Sequence, residues 1–338
     1  MHFATDNQPF PLLHTTGAGV LGPDGWLLAP IHFKLYAGER VGVVGESGSG
    51  KTTLLKMLGG HAQATTGGIF FKGKKVWGPQ EQLLSGHEGI AYLSQHFELR
   101  NNYWVHEILS YANQLEADEA MDIYRDCDVL HLLNRRTNGN LSGGEKQRLV
   151  LASLLTTKPE LLLLDEPFSN LDALHQQQME RLLALMSNKY GITLMQVTHQ
   201  PADVLAWATQ VLVLQKGTVV QQGRPEDVFF SPTSHYVAGL FGAYNVVPIG
   251  VLPVVPDNPP PMHGLFVRAS QIELLNKQEA GISGLIIHKA FKGSYTTYTI
   301  QVNNFQWIAN HTNCMYEVGS EVGLGFAISK PCYLPLPA

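Results

Sequence analysis

One run of eight residues constrains this chain more than any other: Gly45-Glu46-Ser47-Gly48-Ser49-Gly50-Lys51-Thr52. It fits G-x-x-x-x-G-K-[ST], a phosphate-binding loop, at every position. Val41 to Val44 just before it are apolar and mostly β-branched, which predicts a buried strand. Thr53 to Leu58 after it predicts a helix that stops at Gly59-Gly60. A chance Gly/Ser-rich turn has no reason to sit between such a strand and such a helix. The glycines let backbone N–H groups turn inward around phosphate oxygens, and the helix N-terminus adds partial positive charge there. Lys51 can reach the β- and γ-phosphates, and the Thr52 hydroxyl can ligate Mg2+. Thr53, the next residue, completes the candidate nucleotide contacts of the loop.

Three further segments carry chemistry. Leu161 to Leu164 form a continuous apolar run ending in Asp165-Glu166, as in the centre of a parallel sheet covered on both faces. Asp165 can hold hydrated Mg2+ beside the loop, and Glu166 can polarise a water against the γ-phosphate. The plainer reading is a pair of surface carboxylates at a strand end. Leu141-Ser142-Gly143-Gly144-Glu145 precedes an apolar helix. Ser142 and Glu145 have capping-box spacing, and the two glycines leave N–H groups free for a second anion site. Ile192 to Val197 is another buried strand, with Thr198-His199 at its carboxyl end. In an α/β sheet that edge is where ligands converge.

The rest of the chain supplies the frame. Residues 16–38 alternate apolar and polar around a Gly-Pro-Asp-Gly turn at 22–25, which predicts a hairpin. Trp26 lies there, open to both base stacking and ordinary packing. Ile69 to Val76 predicts a second hairpin, Gly89 to Ser94 a strand ending at Gln95, and His106 to Leu133 has helical spacing. Leu171-Asp172-Ala173 opens a helix to about Lys189, Val211 to Gln221 predicts a closing hairpin, and a short helix begins at Pro225. Prolines concentrate between Pro248 and Pro261, as in a semi-rigid linker. Beyond them, Gly284 to Ile287, Thr296 to Val302, Phe305 to Ala309 and Val322 to Ile328 read as short strands of a small all-β domain.

Composition excludes some classes. With 338 residues, 44% hydrophobic and 15% charged, the chain has ample core for two domains. A net charge of -5 and no Lys/Arg block argue against a nucleic-acid partner. Cys127, Cys314 and Cys332 form no CxxC pair, which points to a reducing compartment. The opening MHFATDNQPF lacks a leader pattern, and no apolar run approaches bilayer length. Any service to a membrane is therefore expected to go through another chain.

Taken in order, the loop at 45–52, Gln95, the run at 141–145, Asp165-Glu166-Pro167, Ser169-Asn170-Leu171-Asp172 and His199 resemble the ATP-binding-cassette ATPases over residues 12–240. The resemblance implies an α/β phosphate-loop NTPase with a mixed sheet, an antiparallel β subdomain and a helical insertion at about 96–140. It implies an ATPase domain over 1–240, a Pro-rich linker over 241–262 and a small all-β barrel over 263–338. The last part, from Ser234-His235-Tyr236 through Gly264 to Ile272, is similar to the accessory (TOBE-like) barrel of bacterial importer ATPases, although Ala269-Ser270 replaces their usual Pro-Glu.

The same resemblance implies residue roles. Gln95 touches Mg2+ and senses the transport subunit, Glu166 is the general base, and His199 contacts the γ-phosphate. Leu141, Ser142, Gly143, Gly144 and Glu145 close over ATP held by the other subunit, and Asp172 links the two sites. The implied form is a homodimer or paired cassette sandwiching two ATP with Mg2+, docked through about His96 to Trp104 on transmembrane permease subunits at the cytoplasmic side of the membrane. The adenine-stacking aromatic implied by spacing falls near Gly22, where none stands. Two other readings use the same loop. One is a soluble ATP-gated regulatory protein with a ligand-sensing barrel. The other is a small-molecule kinase, which leaves 141–145 unexplained.

Overall fold

Leu161 to Leu164 are fully buried, and their side chains divide by parity between two cores. That division is what a strand at the middle of a two-sided sheet must show. The computed structural model describes residues 10–95, 99, 101–137, 141–169, 171–252, 260–312, 315–328 and 330–336. The chain divides into two units, Met1–Pro225 and Glu226–Ala338.

The first unit runs β1 (Leu13–Gly22), β2 (Gly25–Ile31), β3 (Lys34–Leu35), β4 (Arg40–Val44), α1 (Lys51–Leu58), β5 (Thr66–Phe71), β6 (Lys74–Lys75) and β7 (Ile90–Leu93). There follow α2 (Val105–Ala112), α3 (Ala117–Asp126), α4 (Gly143–Leu155), β8 (Leu161–Asp165), α5 (Ala173–Tyr190), β9 (Thr193–Val197), α6 (Pro201–Trp207), β10 (Gln210–Gln215) and β11 (Thr218–Gly223). One sheet has the order β11-β10-β4-β9-β8-β7, parallel except for the edge strand β11. The other is antiparallel, β2-β1-β5-β6 with β3 on β1. Gly22 pairs with Gly25, so the expected turn closes the first hairpin.

Leu161 and Leu163 face α1 and the antiparallel sheet, whereas Leu162 and Leu164 face α2, α3, α4 and α5. The phosphate loop thus joins the central strand β4 to a helix buried between the two sheets. The helical region after His106 is interrupted. Asn113 ends α2, and its side-chain amide bonds Leu115 N–H and C=O at 3.0 Å each, a local turn that competes with the helix. The element α6 carries no apolar stripe long enough to predict it, and it starts with Pro201 at its first turn.

The second unit contains α7 (Pro225–Phe230), α8 (His235–Leu240), β12 (Tyr244–Pro248), β13 (His263–Arg268), β14 (Ile272–Leu275), β15 (Ile282–Phe291), β16 (Thr296–Val302), β17 (Phe305–His311), β18 (Glu321–Phe326) and β19 (Tyr333–Pro335). Two antiparallel sheets, β12-β13-β19 and β14-β18-β15-β16-β17, share one core that includes Val247, Val267, Tyr298 and Trp307. Here the expected boundaries need correction. Residues 244–248, read as linker, form a strand because they pair in register with β13 and Asn245 bonds both backbone groups of Ile308. Residues 253–259 lie outside the described residues. Residues 226–240, read as the end of the first domain, group with the second. Arg268, 1% exposed, donates to the carbonyls of Phe229 and Ala238 and so ties α7 and α8 to β13.

Candidate nucleotide-hydrolysis site

Backbone geometry makes the loop. Gly45 has φ +155°, and a Cβ there would stand 2.3 Å from the Leu214 carbonyl oxygen. Gly50, the N-cap of α1, has φ +100°, and a Cβ would meet the Leu27 carbonyl at 2.8 Å. Only glycine fits either place. The loop is fastened from outside, since Gly217 N–H donates to Ser49 O at 3.0 Å and Ala29 N–H to Gly217 O at 2.7 Å. No side chain caps α1, so its first N–H groups face the loop's concave side as a ready anion site. Lys51, 5% exposed, donates to the carbonyls of Gly45 at 2.7 Å and Glu46 at 2.8 Å. Burial lowers its pKa, and the charges of Glu166 and Asp165 oppose that shift.

Two carboxylates stand at the end of β8 with different partners. Asp165, 1% exposed, accepts from the Thr52 hydroxyl at 3.0 Å through Oδ1 and from the Tyr92 hydroxyl at 3.0 Å through Oδ2. Burial, with the charge of Asp165, raises the Tyr92 pKa, so the phenol remains a donor. Glu166 turns the chain with φ +53°, its N–H bonded to Val197 O. Its Oε2 accepts from Gln95 Nε2 at 2.5 Å and meets His199 Nε2. The parallel register sets Asp165 beside Val197, which brings His199 to Glu166 across the strand ends.

Lys51, Thr52, Thr53, Gln95, Glu166 and His199 line one cavity of about 620 Å³, together with Ser47, Gly48 and Gly50. Trp26 lines it too, although its sequence position left its role open. Sequence reasoning missed Leu27, Lys216 and Tyr92. Leu27 and Lys216 reach the cavity from two hairpins that carry no motif. Tyr92 left one clue, a polar phenol in a short apolar strand, where such a hydroxyl needs a partner.

The second expected anion site forms a separate group. Ser142 caps α4, accepting from Glu145 N–H at 3.2 Å, while Glu145 takes the Ser142 N–H at 2.7 Å and Arg135 at 3.1 Å. Leu141 is buried beneath it, and Gly143 has open space where a Cβ would stand. Asp172 caps α5 through His175 N–H at 2.9 Å, and the His175 ring lies 3.0 Å from where a Gly144 Cβ would be. None of Leu141 to Glu145, nor Asp172, lines the cavity that Lys51 lines. Asn170 and residues 96–98 and 100 lie outside the described residues.

The chain is similar to known proteins of one family. Residues 28–169 match the family described as ABC transporter. The spermidine/putrescine import ATP-binding protein PotA of Desulfitobacterium hafniense is 29% identical over 88% of this chain and 90% of its own length. The glucose import ATP-binding protein GlcV of Saccharolobus solfataricus is 35% identical over 64% of this chain and 63% of its own. Among solved structures, a part of the cbiONQ ABC transporter complex from Clostridium perfringens superposes with TM-score 0.54 and 26% identity, covering 64% of this chain and 90% of its own. The matched span, residues 28–169, takes in the phosphate loop, the capped run at 141–145 and the paired carboxylates after β8, so the chain carries a domain of the ABC transporter family and is similar to import ATP-binding proteins over most of its length.

Proposed function

We propose that the chain is the ATP-hydrolysing motor subunit of an ABC importer, energising solute uptake through a partner permease. The observation that carries this reading is the Glu166 carboxylate, held by Gln95 and His199 at the end of β8 in the same cavity as Lys51. Import ATP-binding relatives favour it over a soluble regulator or a kinase.

In this reading the loop N–H groups of residues 45–52 and the Lys51 ammonium bind the β- and γ-phosphates. Trp26, on the cavity wall, offers a face to the base. The Thr52 hydroxyl, the Asp165 carboxylate and the Gln95 amide are hard oxygen donors, a set that fits Mg2+. Held by these residues, Mg2+ would supply positive charge against the transferring phosphoryl group. Glu166 orients and deprotonates the attacking water, and His199 holds the γ-phosphate side of the site. Positioning and fixed charge supply the rate. Leu141 to Glu145 and Asp172, which stand outside that cavity, serve a nucleotide bound by a second subunit, so the working form is a head-to-tail dimer with two ATP.

The permease docks near His96 to Trp104, on the cytoplasmic side of the membrane. In the described part of that stretch, Arg136 lies over the Trp104 ring at 4.5 Å. No helix among the described residues is long and apolar enough to cross a membrane. The two β-sheets of the second unit are the accessory barrel of this importer class, and the first unit is the ATPase domain.

Expression together with any multi-spanning permease encoded beside this chain tests the reading. The tagged chain should bring down a multi-spanning membrane protein, and the complex in lipid should hydrolyse ATP faster than the isolated chain. Purification alone under those conditions, with steady ATPase activity that no membrane partner alters, would favour the soluble regulator instead.

A further inference from the structure

We propose that Tyr92 is a positioning residue for the nucleotide site: its hydroxyl holds Oδ2 of Asp165, so that Oδ1 stays turned toward Thr52 and the divalent cation. The inference rests on the reading of Thr52 and Asp165 as the cation's ligands.

The contact follows from the fold. Tyr92 pairs with Leu163 in the parallel β7–β8 ladder, and Asp165 lies two residues beyond Leu163. Neighbours in register share a face, and so do residues two apart, so Tyr92 and Asp165 project from the same side of the sheet. That is the side packed on α1, which carries Thr52 in its first turn. The His61 ring lies against the phenol, with 5.1 Å between centroids.

The arrangement matters because an aspartate carboxyl turns easily about its last side-chain torsion, which is broad rather than confined to narrow wells. Thr52 alone fixes one oxygen. With Tyr92 on the other, the plane of the carboxylate is set before any metal arrives. Mg2+ demands near-ideal octahedral geometry, so a preset plane favours it. Partners that orient a ligand without touching the metal typically contribute a factor of ten or more in metal affinity. A purely packing tyrosine would fill the same space but would leave the metal dependence untouched.

The test uses the full chain in three forms: wild type, Tyr92→Phe and Asp165→Asn. Tyr92→Phe keeps the ring against His61 and removes only the hydroxyl. Binding of a fluorescent ATP analogue is measured in EDTA and across a Mg2+ titration, and Mn2+ binding is followed separately by electron paramagnetic resonance. Tyr92→Phe should raise the Mg2+ needed for half-maximal binding about tenfold and weaken Mn2+ in proportion. Its affinity in EDTA should match wild type, because Lys51 and the loop amides are unchanged. An unmoved Mg2+ midpoint overturns the proposal. So does an equal loss with and without metal, which would mark Tyr92 as packing. Asp165→Asn separates the levels: if it too leaves the midpoint alone, the cation site itself has been misplaced.

Discussion

Glu166 is held in the left-handed region at φ +53°, a conformation that non-glycine residues seldom adopt. Such strain persists where surrounding contacts fix it, and here Val197, Gln95 and His199 do so. The consequence is a carboxylate, 8% exposed, that lines the same cavity as Lys51. Replacing it by glutamine keeps size and hydrogen bonding but removes the base. Glu166→Gln should therefore bind ATP within a few-fold of wild type and lose roughly a hundredfold or more in turnover. Steady-state phosphate release and equilibrium nucleotide binding measure the two separately, and near wild-type turnover would remove Glu166 from the base role. At this scale most of the site was legible. Lys51, Thr52, Asp165 and Glu166 sit in motifs whose spacing is fixed by local geometry. Tyr92 was not legible, because its partner is distant in sequence and only the strand register brings the two together.

Among elements, strands with two buried faces were the easiest to read, since β8 opens with four leucines and β9 is apolar except at Thr193 and Gln196. The shorter pieces escaped. The strand β12 looked like linker because its pairing partner β13 lies across a proline-rich stretch. The helix α8 is fixed by a Ser234 cap and by Arg268, neither of which repeats with helical period. A clasp between α3 and α5 was also invisible. Asp126, at the end of α3, accepts from Lys189 Nζ at 2.7 Å and from the Tyr190 hydroxyl at 2.6 Å. Burial pushes the Asp126 carboxyl up, but those hydrogen bonds and the Lys189 charge outweigh it, and the net shift is downward. A carboxyl lowered by folding stabilises above its unfolded pKa and loses that contribution as pH falls through its folded one. Asp126→Asn should thus lower Tm on the order of 2 °C at pH 7, a modest effect because the ion pair is partly exposed. The gap between variant and wild type should close as the pH falls through and below the ordinary aspartate range. A gap that stays constant across that range would show the clasp to be held by packing.

The whole molecule raises the question of how its two candidate anion sites work together. Lys51 opens α1 on one face of the central sheet, and Ser142 caps α4, whose side chains pack on the other. Both helix N-termini suit phosphate, yet only the first lines the cavity with Glu166. In a head-to-tail dimer each ATP would meet Lys51 of one subunit and Ser142 of the other. Lys51→Ala removes a charge-assisted contact and should empty the site of the subunit that carries it. Ser142→Arg should block the partner's site, because a long side chain would fill the space before Gly143. A mixed dimer with Lys51→Ala in one subunit and Ser142→Arg in the other then has both defects in one sandwich. Its second sandwich is intact. A dimer in which one subunit carries both changes and the other is wild type has a defect in each. Co-expression with two different tags yields both forms, and occluded ATP can be counted under non-hydrolysing conditions. The first form should trap one ATP and the second almost none. Equal trapping in the two would mean that each subunit completes its own site, and the head-to-tail arrangement would have to be abandoned.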